Sequence, residues 1–215
     1  MREVLSIVLA SSNQGKLVEL RELLADLPVQ ILSAKEALGH TLEVIEDGGT
    51  FEENAILKAR AVSRATGLTA LADDSGLEVS ALGGRPGVRS ARFAHERATD
   101  AENNAALLRE LEEIGEAERS ARFRCVLALV TPWDEQARTV EGACEGQILR
   151  APRGSGGFGY DPLFVVAGEN GRTMAELSDQ EKNRVSHRGS AVRALRPRLL
   201  ALLNERLDEA ERVFG

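Results

Sequence analysis

The most constraining feature of this chain is an apolar run that leads into two adjacent carboxylates. Residues 68–72 are typical of a buried strand, and Asp73, Asp74, Ser75 and the turn-forming Gly76 follow them. Adjacent carboxylates repel each other, so holding both near a sheet edge of low dielectric requires a metal ion, arginine or lysine. A strand end in which one carboxylate caps local amides in an Asx turn explains the same residues. The segment alone leaves both interpretations open.

Composition bounds the class of protein. The chain has 215 residues, of which 43% are hydrophobic and 28% are charged, and these values are ordinary for one folded globular domain. The patterned sequence predicts a single domain over 1–207 and a C-terminal tail over 208–215. The net charge of −7 argues against binding to a nucleic-acid backbone. It allows a small phosphorylated ligand, because a cleft can be locally basic in an acidic protein.

Location and redox state follow from what the sequence contains. No apolar stretch approaches the roughly 20 residues of a membrane span, and the first residues run into patterned sequence without a cleavage-like segment. We therefore expect no membrane partner and a cytoplasmic location. Cys125 and Cys144 lie far apart in apolar, strand-like surroundings, which favours two buried reduced thiols over a disulfide.

A polar loop follows the first predicted strand, residues 4–10, and leads into a helix with leucines on one face. Amides and the positive end of a helix dipole favour an anion at such a place. The loop is not a Walker A sequence, since it lacks the first glycine and has Leu17 where Ser or Thr follows the lysine. Ordinary N-cap and turn chemistry remains an alternative to a phosphate site. The loop residues are Ser11, Ser12, Asn13, Gln14, Gly15 and Lys16.

The next helix is predicted over 51–66, after a second strand at 29–34. Thr50 and Glu53 form a capping box at its start, and Gly67 suits its end. We expect Lys58 and Arg60 on this helix to be solvated. Glu46 lies in the preceding loop without a capping role, which makes it the better candidate for a second metal carboxylate.

The middle of the chain predicts scaffold. Thr99 and Glu102 form a capping box that opens a helix ending at Gly115. Residues 122–131 and 138–149 are apolar or alternating, with a short polar connection, and predict a long antiparallel hairpin.

A glycine-rich loop and a cationic cluster complete the unusual features. Residues 154–162 place Phe158 and Tyr160 among glycines, which predicts close approach of the backbone to a ligand and a flat ring to hold it. Aromatic rings that fill the core are the alternative. Ser178 and Glu181 form a capping box that opens a short helix. Residues 182–188 bring a lysine, a histidine and an arginine to a helix junction, where they predict an anion or carbonyl site or a solvated face. Pro197 is expected to kink the final helix or to mark its start.

Five motifs in order resemble those of the inosine triphosphate pyrophosphatase family, also called the non-canonical purine NTP pyrophosphatases or Ham1-like proteins. The first motif departs from the Thr-Gly-Asn that is frequent in the family. The motifs cover nearly the whole chain and are Ser11–Lys16, Phe51–Ala55 with Lys58 and Ala59, Ala72–Leu77, Gly156–Pro162, and Glu181–Lys182 with Ser186–Arg188.

The resemblance implies an α/β fold, an elongated mixed β-sheet with flanking helices and two lobes around an active-site cleft. It also implies a homodimer and Mg²⁺-dependent hydrolysis of ITP, dITP and XTP to the monophosphate and pyrophosphate, which removes deaminated purines from the nucleotide pool. By motif, Asp74 is the catalytic base and a metal ligand, Glu46 is a second metal ligand and Ser75 contacts substrate.

The remaining assignments concern substrate binding. The resemblance implies phosphate contacts for the loop 11–16 and base contacts for Phe158, Gly159, Tyr160 and Asp161. It implies base and phosphate contacts for Lys182, His187 and Arg188. Two other functions stay open from the residues alone, a metal-dependent phosphatase for another phosphorylated metabolite and a nucleotide-sensing module without turnover.

Overall fold

The computed structural model describes residues 4–214, which form one mixed six-stranded sheet flanked by helices. The strand order is β2-β1-β3-β4-β5-β6, with β1 parallel to β2 and β3 and the later pairs antiparallel. The strands are β1 Leu5–Leu9, β2 Val29–Ser33, β3 Thr69–Val79, β4 Ser120–Thr131, β5 Asp134–Ile148 and β6 Phe164–Val166. The helices are α1 Gln14–Leu23, α2 Ala34–Leu38, α3 Phe51–Thr66, α4 Asp100–Glu110, α5 Asp179–Val185 and α6 His187–Phe214.

The sheet is covered by different helices on its two faces. On one face, α1 and α6 pack their leucines against β1, β3 and β4. On the other, α3 packs its Phe51 and alanines against Val8 and Ala72. A separate cluster around Phe123 and Phe164 joins the far part of the hairpin to α4. The first two clusters form one part of the molecule, and the cluster around Phe123 and Phe164 forms the other. The site lies between these two parts.

The prediction that the third strand ends near Ala72 and that the chain turns at Gly76 is wrong. The strand continues to Val79 and pairs with β4 throughout, with Asp74 opposite Val126 and Gly76 opposite Arg124. Gly76 is therefore a strand residue and not a turn. A Cβ at this position would lie 2.5 Å from the Gly87 carbonyl oxygen, so the glycine allows the segment after β3 to pack closely.

Alternation along β3 separates the two carboxylates. Leu71 belongs to the cluster under α1 and α6, whereas Ala70 and Ala72 belong to the cluster under α3. Successive strand residues point to opposite faces. Asp73 consequently points toward α1 and α6, and Asp74 points toward α3.

Most element predictions are confirmed. The capping boxes at Thr50, Thr99 and Ser178 form, and Gly67 ends α3 with a left-handed conformation. The hairpin is present as β4 and β5, and both cysteines are free and buried. The sequence analysis missed the short elements α2 and β6 because neither has enough residues to show a period.

The final helix differs from the prediction. It starts at His187 directly after Ser186, and Pro197 lies inside it. The predicted boundary between residues 207 and 208 also falls within this helix. Among the described residues, no helix has both the length and the apolar character needed to cross a membrane.

Candidate active site

One cleft collects most of the residues that the sequence analysis selected. It lies where the α1 N-terminus, the middle of β3, the glycine-rich loop and the α5–α6 junction meet. Its lining includes Ser11, Ser12, Asn13, Lys16, Glu46, Asp74, Ser75, Phe158, Gly159, Tyr160, Asp161, Lys182, His187 and Arg188. Gln14 and Gly15 were predicted as phosphate contacts but are not among the lining residues.

Asp74 contacts a lysine that the sequence analysis placed in solvent. Lys58 Nζ lies 2.5 Å from Asp74 Oδ1 and 3.4 Å from Glu46 Oε2, and it also donates to the Asp73 carbonyl oxygen at 3.1 Å. Lys58 is buried, so the prediction of a solvated side chain was wrong. It lies one turn after the fully buried Asn54 on the inner face of α3, and this i, i+4 spacing was the available signal.

The charge balance around Lys58 is negative. Burial raises the pKa of Asp74, Lys58 counteracts that rise, and Glu46 adds to it. Burial alone would lower the pKa of Lys58, but attraction to Asp74 and Glu46 outweighs it and raises the pKa. Lys58 therefore stays protonated between two carboxylates, and one negative charge is left over on this side of the cleft.

Asp73 has the opposite balance. It is fully buried, with Lys16 Nζ 2.6 Å from Oδ1 and Arg188 Nε 2.7 Å from Oδ2. The Ser75 hydroxyl donates to Oδ1 at 2.7 Å. Burial would raise the pKa of Asp73, but Arg188 and Lys16 outweigh it and hold the pKa well below its usual range. Asp73 is therefore neutralised within the protein and is not among the residues that line the cleft.

The α1 N-terminus is shaped by its own cap. The Asn13 side-chain oxygen accepts from the Lys16 amide at 3.1 Å, and the Ser11 hydroxyl accepts from the Asn13 amide at 3.2 Å. The N-cap alternative is thus realised by Asn13. Ser11, Ser12, Asn13 and Lys16 line the cleft at this helix start, where the positive end of the helix dipole attracts an anion.

Phe158 and two cations form the other end of the cleft. Lys182 Nζ lies 4.6 Å from the centroid of the Phe158 ring, and the Arg188 guanidinium carbon lies 5.6 Å from it. Both cations are buried, so the alternative of a solvated face is wrong for them. A flat ring beside cationic donors suits a planar ligand that carries hydrogen-bond acceptors.

Two carboxylates hold Lys182 and Arg188 in place, and neither pairing was predicted from the sequence. Glu19 on α1 lies 2.7 Å from Lys182 Nζ and also pairs with Arg188 Nη1. Asp161, predicted to contact the base, lies 2.6 Å from Lys182 Nζ and accepts from the Phe158 amide at 2.9 Å. Glu19 follows Lys16 by three positions on the same face of α1, and that spacing was the only signal for it.

His187 and Tyr160 differ in what they offer a ligand. The His187 ring stacks on Phe123, and its buried Nδ1 has no hydrogen-bond partner among the described residues. Burial, helped by Arg188, holds the pKa of His187 well below its usual range, so the ring is neutral. Tyr160 is buried, and its hydroxyl donates to the Ser90 carbonyl at 2.8 Å, which confirms the core alternative for this ring.

The donor set at Asp74 and Glu46 suits magnesium bound with a phosphate ligand. The described residues contain no cluster of three or more His, Cys, Asp or Glu placed to hold a metal by themselves. Mg²⁺ is ordinarily held by one or two carboxylates, with water and substrate phosphates completing its coordination. Two carboxylates facing one lysine, with an uncompensated negative charge, fit that pattern.

Comparisons with known proteins show the family of this chain. A sequence model described as the Ham1 family matches residues 7–198. A dITP/XTP pyrophosphatase of Desulforamulus reducens is 54% identical over 189 residues, covering 88% of this chain and 92% of that protein. One of Thermus thermophilus is 54% identical over 191 residues, covering 89% of this chain and 90% of that protein. The solved structure of a HAM1 protein from Coxiella burnetii has a TM-score of 0.81 at 48% identity, covering 92% of this chain and all of that one.

Proposed function

We propose that this chain, which belongs to the Ham1 family, is a nucleoside triphosphate pyrophosphatase that hydrolyses non-canonical purine nucleotides such as dITP and XTP. The observation that carries the proposal is the single cleft, which has an acidic pair at one end and an aromatic ring with cationic donors at the other. A triphosphate with its metal fits the first end, and a purine fits the second. Its products are the nucleoside monophosphate and pyrophosphate.

At the phosphate end, the chain supplies both an anion site and the acidic pair. Ser11, Ser12 and Asn13 line the cleft at the start of α1, and Lys16 lies beside them with its ammonium on Asp73. Asp74 and Glu46 are the residues that would hold Mg²⁺. When bound, the ion neutralises charge on the phosphates and on the departing pyrophosphate. We propose dependence on Mg²⁺ for this reason.

Asp74 is the proposed general base. Its buried carboxylate lines the cleft, and its raised pKa makes it a better proton acceptor than an exposed aspartate. It takes a proton from a water molecule as that water oxygen bonds to the α-phosphorus. The bond from the α-phosphorus to the bridging oxygen breaks, and its electron pair leaves with pyrophosphate. Lys58 fixes the orientation of the Asp74 carboxylate through its contact at 2.5 Å.

Base recognition rests on N–H groups that remain after the internal contacts are made. Lys182 uses two of its donors on Asp161 and Glu19, and Arg188 uses Nε, Nη1 and Nη2 on Asp73, Glu19 and Ser75. Each cation keeps further N–H groups for a ligand. The 6-keto oxygen of hypoxanthine or xanthine accepts from such a donor, whereas the amino group of adenine leaves it unpaired, at a cost of about 1 to 3 kcal/mol.

Three further features belong to the same proposal. The described residues, 4–214, form one domain, which is supported by a sheet that joins β1 to β6. The protein acts as a homodimer, which analytical ultracentrifugation would test. It works in the cytoplasm, because its substrates arise in the nucleotide pool there.

A panel of nucleoside triphosphates with Mg²⁺, assayed separately for pyrophosphate and orthophosphate, tests the function. We expect pyrophosphate from dITP, ITP and XTP and far slower release from dATP. Orthophosphate as the main product would replace this proposal with a phosphatase. Binding without multiple turnover would replace it with a nucleotide sensor.

A further inference from the structure

The loop that carries Phe158 is held by a helix that the sequence analysis treated as scaffold. The Gly159 amide donates to Asp100 Oδ2 at 2.7 Å, and the Gly159 carbonyl accepts from Asn104 Nδ2 at 2.9 Å. Both partners lie on α4, one turn apart. The residue after Phe158 is thus bound through its backbone donor and its backbone acceptor. Asp100 lines the cleft, whereas Asn104 is not among the lining residues.

The ring of Phe158 rests against Gly15 on α1. A Cβ built on Gly15 would lie 2.6 Å from Cδ1 and 2.8 Å from Cε1 of that ring, closer than real Cβ atoms come. Gly15 is not among the glycines with positive φ, so its backbone conformation is one that alanine adopts freely. The glycine is therefore required by the ring and not by the helix.

We propose that Gly15 and Asn104 are positioning residues that set where the Phe158 ring stands in the cleft. Neither Gly15 nor Asn104 is among the residues that line the cleft, so neither is placed to contact the nucleotide directly. They act through Phe158, one on the ring and one on the backbone beside it. The inference rests on the proposed function, in which the purine stacks on Phe158. It gives Gly15 a different role from the phosphate contact that the loop motif implies.

Gly15→Ala separates this role from an effect on folding. Alanine is the better helix former, which offsets part of the cost of moving the ring, so we expect the melting temperature to change by no more than about 4 °C. The displaced ring lowers nucleotide affinity, and we expect KM for dITP to rise about threefold to tenfold with kcat within about twofold. Asn104→Asp removes the donor to Gly159 and places a carboxylate beside its carbonyl, and we expect a change in the same direction.

The decisive experiment combines each substitution with Phe158→Ala. If both residues act through the ring, adding Gly15→Ala or Asn104→Asp to Phe158→Ala changes KM no further. Matched controls are Gly115→Ala, where the nearest atom to a new Cβ is 3.4 Å away, and Asn204→Asp on the exposed side of α6. Both controls keep the wild-type KM.

The outcomes distinguish the two proposals. The positioning role is overturned if either substitution raises KM as much in the Phe158→Ala background as in the wild type. It is also overturned if both single variants keep the wild-type KM. In either case, turnover of dITP by the wild type still supports the function. If the wild type binds the non-hydrolysable α,β-imido analogue of dITP without turning over dITP, the function fails. The positioning role is then tested with the same single and double variants, by measuring Kd for the analogue by calorimetry in place of KM. If the wild type neither binds that analogue nor turns over dITP, both proposals are overturned.

Discussion

Asp73 and Asp74 are adjacent in the chain, yet they lie in opposite electrostatic environments. Asp73 shares its face of β3 with Lys16 and Arg188 and is fully buried. Asp74 faces Lys58, which it shares with Glu46. One carboxylate therefore meets two cations, and two carboxylates meet one cation.

The difference shows which carboxylate is available to a ligand. The charge of Asp73 is compensated by the protein itself, so it has no need of a metal ion and serves to hold the cations of the cleft. Asp74 shares the ammonium of Lys58 with Glu46, so these two carboxylates have charge to offer a ligand. A structural carboxylate and a reactive one thus arise from neighbouring residues because a strand points them to different helices.

Asp74→Asn tests the reactive side and has the largest expected effect. The amide keeps the shape but loses the proton acceptor and the metal-binding charge, so we expect pyrophosphate release from dITP to fall by about 1,000-fold or more. The melting temperature should stay close to wild type. Asp134→Asn at the start of β5 is the control and should keep full activity. Near-normal turnover of Asp74→Asn would remove Asp74 from its role.

Asp73→Asn tests the structural side. It leaves Lys16 without its carboxylate and Arg188 with Glu19 alone, and loss of one partner of a buried pair costs about 3 kcal/mol in the free energy of unfolding. Urea denaturation measures it. Asp26→Asn is the matched control, because Asp26 is exposed in its pair with Arg196, and we expect a much smaller loss. Equal losses in the two variants would contradict the contrast.

Glu46→Gln sharpens the comparison on the metal side. It reduces the charge excess around Lys58 while Asp74 stays in place. We expect the Mg²⁺ concentration for half-maximal rate to rise about tenfold, with a smaller change in the rate at saturating Mg²⁺. Asp47→Asn, at an exposed neighbour in the same loop, should leave the Mg²⁺ dependence as it is. An unchanged Mg²⁺ curve in Glu46→Gln would exclude Glu46 as a ligand.

His187→Gln has the smallest expected effect and concerns the Asp73 side, where the ring is surrounded by Arg188, Asp73, Lys182 and Lys16. Because burial holds the pKa of His187 well below 6.5 in the folded state, the unfolded chain binds the proton first as pH falls. The folded state therefore loses about 1 kcal/mol of stability from this residue by about pH 5.5.

The His187→Gln variant should lack this loss of stability at low pH. Chemical denaturation at about pH 7.5 and about pH 5.5, on either side of the ordinary histidine pKa, measures the difference, with the exposed His40→Gln as control. The same drop in His187→Gln as in the wild type would contradict a buried neutral ring.

Local patterns predicted much of the fold. The capping boxes at Thr50, Thr99 and Ser178 and the helix end at Gly67 depend on hydrogen bonds within a few residues, so the residue types were enough. The long hairpin followed from its alternating strands. The extent of β3 did not, because Gly76 is a common turn residue and its place inside a strand depends on the segment at Gly87 that packs over it.

The site was predicted in part for the same reason. The motifs selected the residues of the cleft, but they did not predict the burial of Lys58, the role of Glu19 or the pairing of Asp161 with Lys182. These are contacts between residues far apart in the chain. Spacing along α3 and α1 indicates the inner faces on which Lys58 and Glu19 lie, but it does not identify the partners that they meet there.

By itself, the sequence determined the helices, their caps, the hairpin and the family to which the chain belongs, because those depend on neighbours in the chain and on ordered motifs. Only the tertiary structure decided which of the two adjacent aspartates is compensated and which is left with excess charge. The physical reason is that the charge state of a buried carboxylate depends on the cations that face it. Those cations come from α1, α3 and α6, which only the folded sheet brings to its two sides.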